Sequence, residues 1–186
     1  MDMHIALFKF SRRFLYCDRM SILRAIIKRI DSVAGFPVAY AHCDIPCGIY
    51  DPYAAQVAAH TVVRMDMLIA DVMKGAGTSA EDRNKLVRYI SVKEQHAEIL
   101  KHEVAVIWGD YMKPEHAQAN PELNTLVWNT LKLAGKAKQS TDIKDAEALL
   151  ESVQKFAEAF WKTKNIQAAR VKSPYPTERT IVVPKL

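Results

Sequence analysis

The sequence has little with which to staple itself together or to cross a membrane. Three cysteines in 186 residues are too few for a disulfide scaffold. No apolar run approaches the ~20 residues that a bilayer-spanning helix needs. Gly-rich phosphate loops, a G-x-S-x-G elbow and internal repeats are all missing, which removes the commonest nucleotide-binding, hydrolase and solenoid readings. Six glycines and eight prolines exclude a fibrous or low-complexity chain. Charge of one sign is also scarce. Of the formal +5, residues 1–41 supply +4, from Lys9, Arg12, Arg13, Arg19, Arg24, Lys28 and Arg29 against Asp2, Asp18 and Asp31. The basic balance is therefore a property of that leader, and neither nucleic acid nor a membrane is indicated as a partner.

What is there divides into three stretches. Residues 1–41 read as a leader removed on maturation. Arg24, Lys28, Arg29 and Asp31 interrupt its apolar residues, so a clean secretory core is missing, although Ala39-Tyr40-Ala41 has the small-x-small pattern of an export cleavage point. Met20 is a second candidate start. The broken leader favours the cytoplasm and a dedicated protease, with export left open. Residues 42–170 read as one helical domain, and 171–186 as an extended C-terminal tail.

Within the domain the expectation is helix upon helix. Asp51-Pro52 starts the first, whose apolar residues from Val57 to Met73 run until Gly75 and Gly77. Ser79-Ala-Glu-Asp starts a second, reaching about Met112 before Pro114. Asn120-Pro121-Glu122 opens a third and Ser140-Thr-Asp a fourth, with Leu149, Val153, Phe156 and Phe160 on its buried stripe. Four amphipathic helices with short connections give an all-α, up-down-up-down four-helix bundle. Trp108, Trp128 and Trp161 read as packing.

The chemistry lies in "HCDIPC", residues 42–47. With the chain uncut, two thiols and an imidazole make a zinc or copper half-site at most, or a Cys43–Cys47 disulfide, since C-x₃-C alone is a weak signal. With the chain cut before His42, a free amine appears. That amine and the deprotonated amide of Cys43 can chelate one metal in a five-membered ring, and the thiolates of Cys43 and Cys47 can complete a plane. Two nitrogens and two sulfurs in a plane suit Ni(II) or Cu(II) rather than tetrahedral zinc, and the His42 imidazole can add axially.

Extended to His42-Cys43-Asp44-Ile45-Pro46-Cys47-Gly48-Ile49-Tyr50-Asp51-Pro52, the stretch resembles the hook of nickel-containing superoxide dismutases, H-C-D-x-P-C-G-x-Y-D-P. The resemblance continues through "VKEQHAEILKHEVAVIWGDYMKPEH", "PELNTLV", "STD" and "FWKTK", covering 42 to about 165. It implies nickel cycling between Ni(II) and Ni(III), superoxide as substrate, a four-helix bundle and a homohexamer. It also implies His42, Cys43 and Cys47 as metal ligands, Tyr50 over the open face of the metal, Tyr111 beside Tyr50, and Asp44 bracing the hook.

Two positions depart from the pattern. Ala58 and His96 stand where the family's better-known members carry a glutamate and an arginine that orient the axial imidazole, which makes His96 a candidate replacement partner. That departure is the reason to keep a second reading, a non-catalytic nickel- or copper-binding bundle. Lys93, Lys101 and Lys113 are candidates for drawing in an anionic substrate. His60, His102 and His116 read as solvated or hydrogen-bonded surface residues.

Overall fold

A computed structural model describes residues 48–186 apart from Ala76 and Thr78. The leader and the hook residues His42, Cys43, Asp44 and Cys47 lie outside the described residues. The helices are α1 (Tyr53–Lys74), α2 (Ala80–Val106), α3 (Pro114–Ala119), α4 (Leu123–Gln139) and α5 (Ile143–Thr163). A five-residue π-helix, Ile107–Tyr111, continues α2, and the strands β1 (Ala168–Lys172) and β2 (Thr180–Pro184) close the chain.

Local signals set the helix starts. The Asp51 carboxylate accepts from the Tyr53 N–H at 2.7 Å, while Pro52 pre-sets the backbone just ahead of the first turn. Ser79 Oγ accepts from the Asp82 N–H at 3.0 Å, with Glu81 and Asp82 in the first turn where the helix dipole favours negative charge. Asp142 caps α5 through the Lys144 N–H.

The buried residues of α2 and its extension are Lys93, Ala97, Leu100, Val104 and Ile107, and those of α4 are Leu123, Val127, Thr130, Ala134 and Ala137. Both sets alternate steps of four and three, the spacing of bundle seams. Helix α1 contributes Ala55, Ala58, Ala59, Val62 and Val63, small residues that let its neighbours approach closely. Helices α1, α2, α4 and α5 pack in a closed ring, each against two others. The four-helix bundle read from the sequence is the observed fold.

Several expectations change. His60, expected at the surface, is 3% exposed. Trp108 and Trp128 are 44% and 62% exposed, and only Trp161 packs inside. Lys93 is 1% exposed, its ammonium 2.8 Å from the Asp66 carboxylate and bonded to the Ser140 carbonyl, so it is a core ion pair and not a substrate guide. The C-terminal stretch is a docked hairpin. Asn165 leaves α5 at φ 58, β1 and β2 pair antiparallel with Arg170 opposite Val182, and Ile181 and Val182 are buried against the helices. The hairpin packs against both α5 and α1.

Candidate metal centre

Of the residues singled out in the sequence, Tyr50 and Tyr111 are brought together. Their ring centroids are 5.4 Å apart with the planes at 45°. Two local features create this contact. Gly48, directly after the hook, sits at φ +72, a conformation that side-chain-bearing residues rarely adopt. At the other end, the π-helix closes with the Met112 N–H donating to the Ile107 carbonyl at 3.1 Å. The extra residue in that turn changes the facing of Tyr111 without unburying Ile107; single π turns recur at functional sites for this reason.

Tyr111 is the hub of the cluster. Its ring lies 5.0 Å from Phe160 and 5.5 Å from His116, stacked on the latter, and Lys164 Nζ sits 4.9 Å above it. The Tyr111 hydroxyl is 2.8 Å from Thr163 Oγ1, which itself donates to the Phe160 carbonyl at 2.7 Å. His116 Nδ1 accepts from the Lys113 N–H at 3.1 Å, so this histidine caps α3 and braces Tyr111 instead of standing in solvent.

The lysines separate by environment. Lys101 is paired with Glu98 at 3.3 Å, and Lys113 is exposed at the start of α3. Lys164 is the cation held against the tyrosine cluster, an assignment the spacing did not single out, although the residue ends the "FWKTK" stretch.

Ala58 is 2% exposed and belongs to the apolar core. His96 is half-buried, with Nδ1 2.9 Å from the Val92 carbonyl, so Nδ1 carries the hydrogen and Nε2 is left as an acceptor. The Asp66–Lys93 contact ties α1 to α2.

The model of nickel-containing superoxide dismutases matches residues 37–164. The chain belongs to that family. It is 38% identical over 124 residues to the superoxide dismutase [Ni] of Streptomyces seoulensis, spanning 67% of this chain and 88% of that one. The Streptomyces coelicolor superoxide dismutase [Ni] is 40% identical over the same share of each chain. A native nickel superoxide dismutase crystal structure superposes with a TM-score of 0.59 at 38% identity, over 66% of this chain and 99% of that chain. Nickel superoxide dismutases are oxidoreductases, and membership places the redox-enzyme reading ahead of the carrier reading. Nickel is the family's metal and superoxide its substrate.

Proposed function

We propose that this chain performs the family's reaction at a hook of His42, Cys43 and Cys47, completed when the peptide bond before His42 is cut. The donor set would fit nickel: a neutral amine, an anionic amidate and two soft thiolates, with an imidazole in reserve. Gly48, in its left-handed conformation, supports a reversal of the chain directly after Cys47. The observation that carries the reading is the hook motif running straight into a tyrosine held against Tyr111.

Bound nickel supplies one-electron exchange between its +2 and +3 states. Two superoxide anions and two protons give one oxygen and one hydrogen peroxide, so one superoxide is oxidised and the other reduced. The protein's part is access and charge. Tyr50 limits what reaches the metal, and Tyr111 holds Tyr50 in place from the π-helix. Lys164 adds positive charge beside that pair, favouring an anionic substrate. By its place in the motif, Asp44 is assigned to bracing the hook.

Maturation by a protease, assembly as a homohexamer and a cytoplasmic location complete the reading. Exposed Trp128, Trp108 and Val87 on the outer faces of the bundle and its π-helical extension are apolar area suited to contacts between copies. Among the described residues no helix is long and apolar enough to cross a membrane.

The test compares nickel-loaded chain beginning at His42 with the uncut chain. The cut form is expected to dismute superoxide and to give a rhombic low-spin Ni(III) paramagnetic resonance signal split by one nitrogen. Robust activity from the uncut chain would overturn the mechanism. Stoichiometric nickel without the signal would favour a carrier.

A further inference from the structure

The C-terminal hairpin lies past the family match, which ends at residue 164. It packs on both α5 and α1, and at the first two turns of α1 it makes a set of polar contacts. Gln56 is buried, and its carboxamide meets the backbone of Val182 twice: Nε2 donates to the carbonyl at 3.0 Å and Oε1 accepts from the N–H at 2.8 Å. A strand edge left open by β1 is thereby satisfied by a side chain that mimics a neighbouring strand.

One turn on, His60 is 3% exposed and uses both ring nitrogens. Nε2 is 3.1 Å from the Thr180 carbonyl, which only accepts, so Nε2 carries the hydrogen; Nδ1 then accepts from Thr177 Oγ1 at 2.8 Å. Gln154 of α5 donates to the same Thr180 carbonyl. Toward the start of the helix, the hydroxyls of Tyr53 and Tyr175 are 2.9 Å apart. Arg170 holds the hairpin's other strand to Glu151 and Glu158, at 2.6 and 2.7 Å.

In the chain these contacts follow closely on the hook motif. Residues 48–52 connect it to α1, Tyr50 is fixed on one side by Tyr111, and Tyr53, Gln56 and His60 are fixed on the other by the hairpin. Three buried polar groups on the helices, Gln56, His60 and Gln154, have their bonds to the hairpin only while it stays docked. Leaving them buried without partners would be costly, so the root of α1 and the hairpin hold each other.

We infer that the C-terminal hairpin is a clamp on the base of the hook-bearing helix, with Gln56 and His60 as positioning residues for the metal site. The nickel arm of this inference rests on the hook assignment above; the clamp itself does not. The test uses the chain beginning at His42 with three variants. Gln56→Met keeps the shape and removes both bonds, Thr177→Val removes the hydroxyl on His60, and Thr177→Ser restores it. Leu149→Ala, in the core, serves as a control of general destabilisation.

Hydrogen exchange without metal is expected to be at least tenfold faster at amides 53–60 in Gln56→Met and Thr177→Val, and unchanged in Thr177→Ser. With nickel bound, release to a chelator should quicken at least threefold in the same two variants and not in the control. Unchanged exchange in Gln56→Met, or equal acceleration of those amides in Leu149→Ala, would refute the clamp. Altered exchange with unaltered nickel release would refute its role in positioning. A wild-type chain that takes up no nickel would instead refute the hook assignment, and exchange alone would then decide the clamp.

Discussion

The hydrogen of the Tyr111 hydroxyl points to Thr163. The oxygens are 2.8 Å apart, and Thr163 spends its own hydrogen on the Phe160 carbonyl, so Tyr111 is the donor. A tyrosine so engaged holds its ring against Tyr50.

Thr163→Val keeps the shape and removes that acceptor. We expect a loss of about 1 kcal/mol of stability, the usual net value of one such bond. Because the Tyr111 ring loses its tether, small anions should inhibit more strongly. Urea denaturation and azide titration of the nickel-loaded enzyme check the two effects. Unchanged azide inhibition with the expected stability loss would make Thr163 purely structural.

Lys93 and Asp66 form the charged centre of the bundle, 2.8 Å apart and almost wholly buried. Burial drives the Asp66 carboxyl upward from its ordinary value, and the Lys93 ammonium opposes that shift. Lys93→Met should therefore leave an uncompensated carboxylate and cost about 3–5 kcal/mol. Replacing both, as Lys93→Met with Asp66→Leu, should recover most of the loss, because the pair's desolvation penalty goes with it. Equilibrium unfolding of the two variants reads the difference.

The bundle was legible because α1 starts at Asp51-Pro52, α5 is capped by Asp142, and the buried residues of α4 recur at regular spacing. Helix α2 was harder to read: Val87, Ile90 and Ile99 mark an apolar face that is exposed, while the buried seam runs through Lys93. A lysine in a seam is hidden from hydrophobic periodicity, since its partner Asp66 is 27 residues away. The hook was legible from local sequence alone, because the donors are neighbours in the chain. The Tyr50–Tyr111 contact was legible only through family resemblance. The hairpin was not legible: three prolines after Ser173 read as loose chain, and the groups that dock it, Gln56, His60 and Gln154, lie more than 25 residues away.

His60 gives the fold a pH dependence with a definite sign. Burial lowers its pKa, the Thr180 carbonyl opposes, and nearby Arg179 adds to the lowering. The unfolded chain therefore takes up its proton first as the pH falls. The stability due to neutral His60 is complete above the unfolded value of about 6.5 and is lost as pH falls through the lower folded value. Over that window stability should drop by up to about 1.4 kcal/mol per pH unit. His60→Gln, which keeps a donor and an acceptor, should flatten the slope. Urea unfolding at several pH values from 5 to 8 compares the two, and parallel curves would show that another group sets the dependence.

Lys164 should act on the rate through its charge. Its ammonium lies 4.9 Å from the Tyr111 ring and 5.3 Å from Phe160, so part of its role is to cover aromatic faces. Lys164→Met preserves much of that cover and removes the charge. An anionic substrate moving toward Tyr50 then loses a local attraction, and kcat/KM should fall by about three- to tenfold at low salt. The gap between variant and wild type should close as ionic strength rises and the Debye length shrinks to about 8 Å at 0.15 M and less beyond. Lys164→Arg should restore most of the rate, because it returns a cation able to stack on the same rings. Pulse-radiolysis rates across a salt series separate the alternatives. A deficit in Lys164→Met that persists at high salt would mean that the packing of the tyrosine pair, rather than the field, depends on this residue.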